Sequence, residues 1–580
     1  MLAPSRWKGQ GMAIARRTVL GLGLAAGAAA VSRAAEADVQ VETRGAPELA
    51  AGGATAAIVA YARQHMAAYG LPGLTIALAG PGGFTGLIRL GHADVARRIP
   101  VGPDHLFQIG SITKSLTALA AHRLVDAGKL RLEDDAADLL PDLPLPGRGF
   151  TIRRLLEHSA GLPHDVPLFP RGGDGRMWQG FPGGTQFSYS NTGYMIAARC
   201  IERAAGRPFG EVLEATVLKP LGMAETRPLI LAVDRARYAT GYAPFYADRP
   251  APRAGRLDVA AWTDMTEGSG SVAATGADMA RYLHWLLAAT KGEGGPLLSR
   301  AGAERWLTTT IDAPGWEKGA RYGGGLAHVQ VAERPMLHHT GGMVSFSSAF
   351  HLDPEAGVAA FASSNVGGLG YRPRQITAFA CQQMRAVLGR TAAPKPPPAP
   401  PALPVRAALA GRYRARGGEM LTIEETRDGL AAALAGRRIA LQPGGDDAWI
   451  ASDPTQATLP LVFRRDGETT ARAWWSSVEY VRLHADGTPA VQPSAPTPPE
   501  LERLLGTYVC DDPWRGTFHV TAEGPRLFLD SVTPLTPLPG GGFRAGDEEW
   551  SPERLAFDAP LGGRPSRAIY SGVDFLRRPA

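Results

Sequence analysis

From Gly411 onward the chain repeats itself at a constant offset of 95 residues, and this repeat divides the whole sequence. Gly411-Arg412-Tyr413 pairs with Gly506-Thr507-Tyr508, and Val478-Glu479-Tyr480 pairs with Val573-Asp574-Phe575. Between these ends Thr422/Thr517, Thr426/Thr521, Asp428/Glu523 and Gly429/Gly524 keep the same offset. A repeat that holds its register over its full length marks two copies of one folding unit. Within each copy, short alternating runs such as Leu421 to Glu425 and Thr517 to Thr521 stop at Asp428-Gly429 and Glu523-Gly524. That pattern predicts two small antiparallel β-barrels. Proline-rich spacers bound them: Pro394 to Pro404 favours extended polyproline II, and Gly487 to Pro499 separates the copies.

The first 393 residues read differently. Ala54 to Tyr69 is an amphipathic helical run closed by Gly70, and Gly73 to Ala79 with Gly86 to Leu90 read as hairpin strands around Gly80-Pro81-Gly82-Gly83. Helical periods follow at Ile112–Ala127, Gly193–Ala205 and Ala277–Ala289, with strand-like stretches after Tyr322. Strands flanking a helical block predict an α+β domain. The expected division is a targeting segment at 1–35, an α+β domain at 36–393, a linker at 394–404, a barrel at 405–486, a linker at 487–499 and a second barrel at 500–580.

The formal charge of +6 is a local effect. Residues 1–35 hold five of the 61 basic residues and none of the 55 acidic ones, so the remainder is nearly neutral. Such a balance gives no electrostatic case for binding nucleic acid. Arg16-Arg17 directly precedes the small apolar run Gly21 to Val31 and the small-residue site Ser32-Arg33-Ala34. The run is too short to span a bilayer, so no stable membrane insertion is expected. The arginine pair resembles a twin-arginine signal, which predicts a periplasmic or secreted protein; an ordinary secretory signal with a chance pair is the alternative. Cys200, Cys381 and Cys510 are too few and too far apart for a disulfide framework. No Cys-x-x-Cys or His-Glu-x-x-His occurs, so neither metal nor cofactor is expected.

Three short segments carry candidate chemistry. In Gly110-Ser111-Ile112-Thr113-Lys114 the helical period after Ser111 puts Lys114 on the serine's face, an amine beside a hydroxyl at a helix N-terminus. The chain has only seven lysines against 54 arginines, and arginine cannot lose its proton as a desolvated lysine can. Tyr189-Ser190-Asn191 offers a phenol for proton transfer and an amide to orient substrate. His339-Thr340-Gly341-Gly342 leaves a predicted strand with glycines that expose main-chain N–H groups. Taken singly, a helix cap, a turn and a hairpin explain each segment equally well, and Ser5-Arg6-Trp7-Lys8 also satisfies Ser-x-x-Lys.

Together and in this order the three segments resemble the serine β-lactamases, penicillin-binding DD-peptidases, esterases and D-aminopeptidases, whose shared pattern is Ser-x-x-Lys, Tyr-x-Asn and Lys/His-x-Gly. Leu155 to Pro163, Gly268-Ser269-Gly270-Ser271 and Asp278 to Arg281 are similar too, so the resemblance covers about residues 50–390. It implies a β-lactamase/transpeptidase-like domain with Ser111 as nucleophile, and Lys114, Tyr189 and His339 as its catalytic partners. Asn191, Gly341 and Gly342 are then substrate-binding residues, and the substrate is a small molecule or peptide. His339 stands where most β-lactamases have lysine, which weakens attraction for a β-lactam carboxylate. Histidine here is the form of the D-aminopeptidase and esterase branches, and two trailing barrels are a feature of the D-aminopeptidase-like members, which together imply cleavage of D-amino-acid amides or peptides. Esterase, weak β-lactamase or DD-carboxypeptidase activity of the same fold, and an inactive peptidoglycan- or peptide-binding protein, are the alternatives. By the same resemblance a barrel loop, Gly540 to Gly546, is expected to reach the active site.

Overall fold

The computed structural model describes residues 39–579 apart from residues 52, 172–174, 400–407, 428, 446 and 467–468. The targeting segment expected at 1–35, and part of the linker at 394–404, lie outside the described residues. Among the described residues no helix is long and apolar enough to cross a membrane.

The first domain is built on a ten-stranded antiparallel sheet. Its strands are β1 (Gln40–Arg44), β2 (Gly73–Ala79), β3 (Thr85–Asp94) and β4 (Ile99–Pro100) from the N-terminal part, and β7 (Ile311–Asp312), β8 (Arg321–Gly323), β9 (Leu326–Val331), β10 (Arg334–Gly342), β11 (Ser347–Asp353) and β12 (Val358–Ser364) from the C-terminal part. The spatial order is β1-β3-β2-β12-β11-β10-β9-β8-β7, with β4 paired to β3. The expected hairpin over 73–90 is therefore present, and β2 joins the two halves by pairing with β12. A separate short hairpin, β5 (Tyr242–Pro244) and β6 (Leu257–Val259), stands off the sheet.

Strands β2, β11 and β12 are buried along their whole length, so they read as continuous small and apolar runs rather than as alternating ones. Alternation survives in what each residue touches. Val358, Ala360 and Ala362 pack in one cluster with Ile58 and Tyr61 of α1 (Ala54–Tyr69) and Phe379 and Met384 of α5 (Arg374–Leu388). Ala359 and Phe361 face the other way, into a cluster with Met279 and Leu283 of α4 (Gly276–Ala289), Leu119 of α2 (Thr113–Asp126) and Ile196 of α3 (Asn191–Ala205). Each fully buried Leu or Phe in these layers contributes about 1.5–3 kcal/mol, so the site rests on a rigid platform.

Two closed eight-stranded antiparallel barrels follow, from Gly411 to Arg482 and from Gly506 to Arg577. The repeat is visible in their interiors. The buried Tyr413 and Tyr508 hydroxyls donate to the carbonyls of Leu409 and Leu504, each at 2.8 Å. Arg482 and Arg577 lie over those two tyrosine rings, and their guanidinium groups reach the carbonyls of Ala410 and Leu505. The barrels touch each other through Arg464 and Glu523, 2.6 Å apart.

Both barrels grip the loop between β5 and β6. Arg249 donates to the carbonyl of Pro454 in the first barrel at 2.6 Å. His519 of the second donates through Nε2 to the carbonyl of Asp248 at 2.7 Å, and Arg578 pairs with the Asp248 carboxylate at 3.1 Å. Replacing Tyr413 or Tyr508 by Phe strips a buried carbonyl of its donor, so each change is expected to destabilise its own barrel by about 1–2 kcal/mol. Amide hydrogen exchange resolved by barrel checks this, with protection falling in the altered copy and not in the other.

Candidate active site

Ser111 sits in a single tight turn, Gly110–Ile112, that feeds α2. Two glycine contacts bring this turn against the edge of β10. Gly110 has φ +54°, and a Cβ there would lie 2.8 Å from the Gly342 nitrogen; a Cβ on Gly341 would lie 1.9 Å from the Ile109 carbonyl oxygen. No other residue fits at either place. The turn is further pinned where Ile109 donates to Val272 O at 3.0 Å and accepts from Ser348 Oγ at 2.7 Å.

Lys114, one turn on, is wholly buried. Its Nζ lies 3.1 Å from Ser111 Oγ, 2.7 Å from Asn191 Oδ1 and 2.8 Å from the carbonyl oxygen of Ser269. It also stands over the rings of Tyr189 and Tyr194, 4.9 and 5.5 Å from their centroids. Burial pulls its pKa down to about 7, with the Asp165 carboxylate acting weakly the other way. Near neutrality a large fraction of Lys114 is a free amine whose lone pair can accept the Ser111 proton. Because an ammonium or amine N–H only donates, Asn191 must turn its oxygen to Lys114, which leaves its NH₂ to the cleft.

Tyr189 is half-buried, and burial holds its phenol well above the ordinary range while a hydrogen bond with Ser111 opposes that rise. It is therefore a proton donor or relay at neutral pH. The segment is fixed on both sides: Ser190 Oγ caps α3 by accepting from Gly193 N at 3.0 Å, and Asn191 N donates to His164 O at 2.6 Å.

His339 is placed differently from its neighbours in the motif. It is fully buried, and its Nδ1–H donates to the carbonyl of Thr340 at 2.6 Å. Nε2 therefore carries the lone pair and accepts from the Tyr322 hydroxyl at 2.9 Å. Burial and the nearby Lys114 push its pKa well below the ordinary value, so the ring is neutral with both nitrogens engaged inside the protein. The structure thus brings Ser111, Lys114, Tyr189, Asn191 and Gly342 together, packs Gly341 under Ile109, and sets His339 behind the cleft wall.

The cleft has a volume of about 990 Å³ and is lined by Ser111, Tyr189, Asn191, Thr340 and Gly342, by the β5–β6 loop, and by Cys510 to Thr517 of the second barrel. Gly540 to Gly546 do not line it, which corrects the expectation for that loop. The segment that reaches the cleft joins β13 (Gly506–Val509) to β14 (Thr517–Glu523). It is tethered by Asp165, which accepts from Trp514 Nε1 at 2.8 Å and pairs with Arg515 at 2.8 Å. Gly542 and Gly546 fold back on their own barrel, and only the following residues dock, where Trp178 donates to Pro552 O and His164 N to the Glu553 carboxylate, both at 2.6 Å. Two participants carry no sequence motif of their own, Tyr322 and Arg372, whose guanidinium projects at Gly342, while the Ser269 carbonyl belongs to the run 268–271 noted in the sequence. Among the described residues no cluster of three metal-ligating side chains occurs.

Residues 58–380 match the family profile described as Beta-lactamase. The chain belongs to the beta-lactamase family. Over 351 residues it is 30% identical to penicillin-binding protein 4 of Amycolatopsis lactamdurans, a match covering 55% of this chain and 87% of that protein. A stretch of 182 residues is 30% identical to the D-aminopeptidase of Gluconobacter oxydans (strain 621H), covering 27% of this chain and 34% of that protein. The octameric penicillin-binding protein homologue from Pyrococcus abyssi shares the fold, with a TM-score of 0.51 and 22% identity over 74% of this chain and 100% of that one. Family membership makes this beta-lactamase relative a serine hydrolase of the β-lactamase and penicillin-binding type.

Because the useful form of Lys114 is the free amine, acylation of Ser111 by a fluorophosphonate is expected to slow as pH falls below about 7, approaching tenfold per unit. Lys114→Arg should be as slow as Lys114→Ala, at least about 10³-fold below the parent, since arginine keeps its proton. Rates of inactivation against pH check both.

Proposed function

We propose that this chain hydrolyses short D-amino-acid peptides and amides from their N-terminal end through an acyl-enzyme on Ser111. The observation that carries the chemistry is the buried Lys114 amine at 3.1 Å from Ser111 Oγ. Neutral Lys114 takes the Ser111 proton as Oγ bonds to the carbonyl carbon, and the C=O pair moves to oxygen, held by the N–H groups of Ser111 and Gly342. The C–N bond breaks as the intermediate collapses. Tyr189 gives its proton to the departing nitrogen and is refilled from the Lys114 ammonium. Water then attacks the ester with Lys114 and Tyr189 as base, and Ser111 recovers its proton as the acid leaves.

Substrate polarity is read from the charges around this centre. His339 supplies no cation, since it is neutral and enclosed. Arg372 supplies one: it is mostly buried, donates one bond to Tyr371 O at 2.7 Å, and has no ion-pair partner among the described residues. Burial lowers its pKa but leaves it charged, and a buried guanidinium without a carboxylate is suited to receive one. Asp512, half-exposed on the second barrel's loop and 3.9 Å from the Arg515 guanidinium, faces the same cleft and is suited to an ammonium. A short zwitterionic peptide matches both charges, and similarity to the D-aminopeptidase of Gluconobacter oxydans supports the N-terminal direction.

D-alanyl dipeptides and D-amino-acid amides, their L-counterparts, short-chain p-nitrophenyl esters and a chromogenic cephalosporin form the deciding panel. Preferential turnover of the D-compounds is expected. Turnover of esters or cephalosporin with the D-compounds untouched would overturn the reading. Arg372→Met is expected to lower kcat/KM about 10- to 100-fold for peptides with a free carboxylate and little for the matching amides.

A further inference from the structure

His158 lies outside the three catalytic segments, yet it touches the second of them at every level. Its backbone carbonyl accepts from Ser188 N at 2.8 Å, and its Nδ1 accepts from Ser190 N at 3.0 Å. Tyr189 is thus bracketed by two bonds to one residue. Its ring lies 4.2 Å from the ring of Tyr189, 4.8 Å from Tyr322 and 5.1 Å from Tyr194. Tyr189 and Tyr194 are the two rings that Lys114 stands over. The residue takes φ +58°, a left-handed conformation that a non-glycine side chain adopts at a cost. A backbone amide only donates, so Nδ1 must hold a lone pair and the proton sits on Nε2, which is buried with no hydrogen-bond partner. At that φ a leucine or phenylalanine would be strained at least as much, but neither would bury an unsatisfied N–H, so mere filler does not account for a histidine here.

We infer that His158 is a positioning residue for Tyr189 and Asn191 and the wall that keeps water away from the Lys114 amine. It combines two properties that no apolar residue has together: an acceptor at the height of Ser190 N and a flat ring that seals the space behind Tyr189. The charges facing this region come from Lys114 itself, His164, Asp165, Arg515 and Glu553 of the second barrel, and His339. Burial first, and the Lys114 charge second, keep the His158 ring neutral, so it adds no positive charge beside the amine.

Two substitutions separate the acceptor from the ring. His158→Asn tolerates a left-handed φ and can turn Oδ1 to Ser190 N, but it lacks the ring. His158→Phe keeps a ring and abandons the acceptor. The inference rests on Lys114 serving as the base, so the readout is the pH dependence of Ser111 inactivation by a fluorophosphonate, which needs no knowledge of the substrate. In the parent the acid limb is expected near 7. In His158→Asn water reaches the amine and the limb is expected to move up by about one unit, with the plateau rate within a few-fold of the parent. In His158→Phe the limb is expected to stay near its parent value while the plateau falls about 100-fold, because Tyr189 and Asn191 are misplaced. Thermal melts of both variants accompany the measurement. An Asn variant with the parent limb, or two variants whose plateaus fall only as far as their melting points do, overturns the inference. A parent without any acid limb near neutrality overturns the Lys114 reading as well and is recognised by that fact.

Discussion

A lysine amine with no exposed surface is the constraint around which the first domain is arranged. Burying a full positive charge without a paired carboxylate is unfavourable by several kcal/mol, and the protein avoids that state by lowering the proton affinity of Lys114. What it must then supply is hydrogen bonding for either protonation state. Ser111 Oγ, Asn191 Oδ1 and the Ser269 carbonyl come from three separate segments, at a tight turn, a helix start and a small-residue run. The close glycine contacts under Ser111 and the capped start of α3 follow from the need to hold those three oxygens in place.

Much of this was legible in the sequence, because periodicity and rare residue types are local signals. The helices over 54–69 and 112–127, the hairpin after Gly73 and the internal repeat all carry patterns set by residues within a turn or a strand of one another. Lys114 stands out because lysine is scarce here, and Ser111, Tyr189 and Asn191 because they fall in short motifs; Asn191 is also one of only two asparagines, with Asn365. The remainder depends on which distant segments meet. His339 reads as a cleft residue from its motif, but alternation along β10 turns it inward to Tyr322 while Thr340 faces the cleft. Ser269 acts through a main-chain oxygen, which no side-chain pattern reports.

The barrel loop illustrates the same limit from the other side. A glycine-rich, charged stretch at 540–546 has the composition of a reaching loop, yet the segment that enters the cleft is the one with complementary partners on the first domain. Asp165 binds both Trp514 and Arg515, and it directly follows His164, whose carbonyl fixes the start of α3. Docking of the second barrel is therefore coupled to the segment that presents Tyr189 and Asn191. The barrels are walls of the site and supports of its floor at once.

The grip of both barrels on the β5–β6 loop also bears on how the molecule is assembled. The bonds that close the cleft join residues 271, 330 and 350 positions apart in the chain, through His519 and Asp248, Arg578 and Asp248, and Arg515 and Asp165. Contacts of such separation form late, because the loop entropy they cost must be met before they stabilise anything. The Ser111–Lys114 pair, three residues apart, forms with its helix. The site's own contacts, Lys114 to Asn191 and to Ser269 at separations of 77 and 155 residues, close shorter loops than the docking bonds, so a chain with its first domain folded and its barrels undocked holds its serine behind an open door.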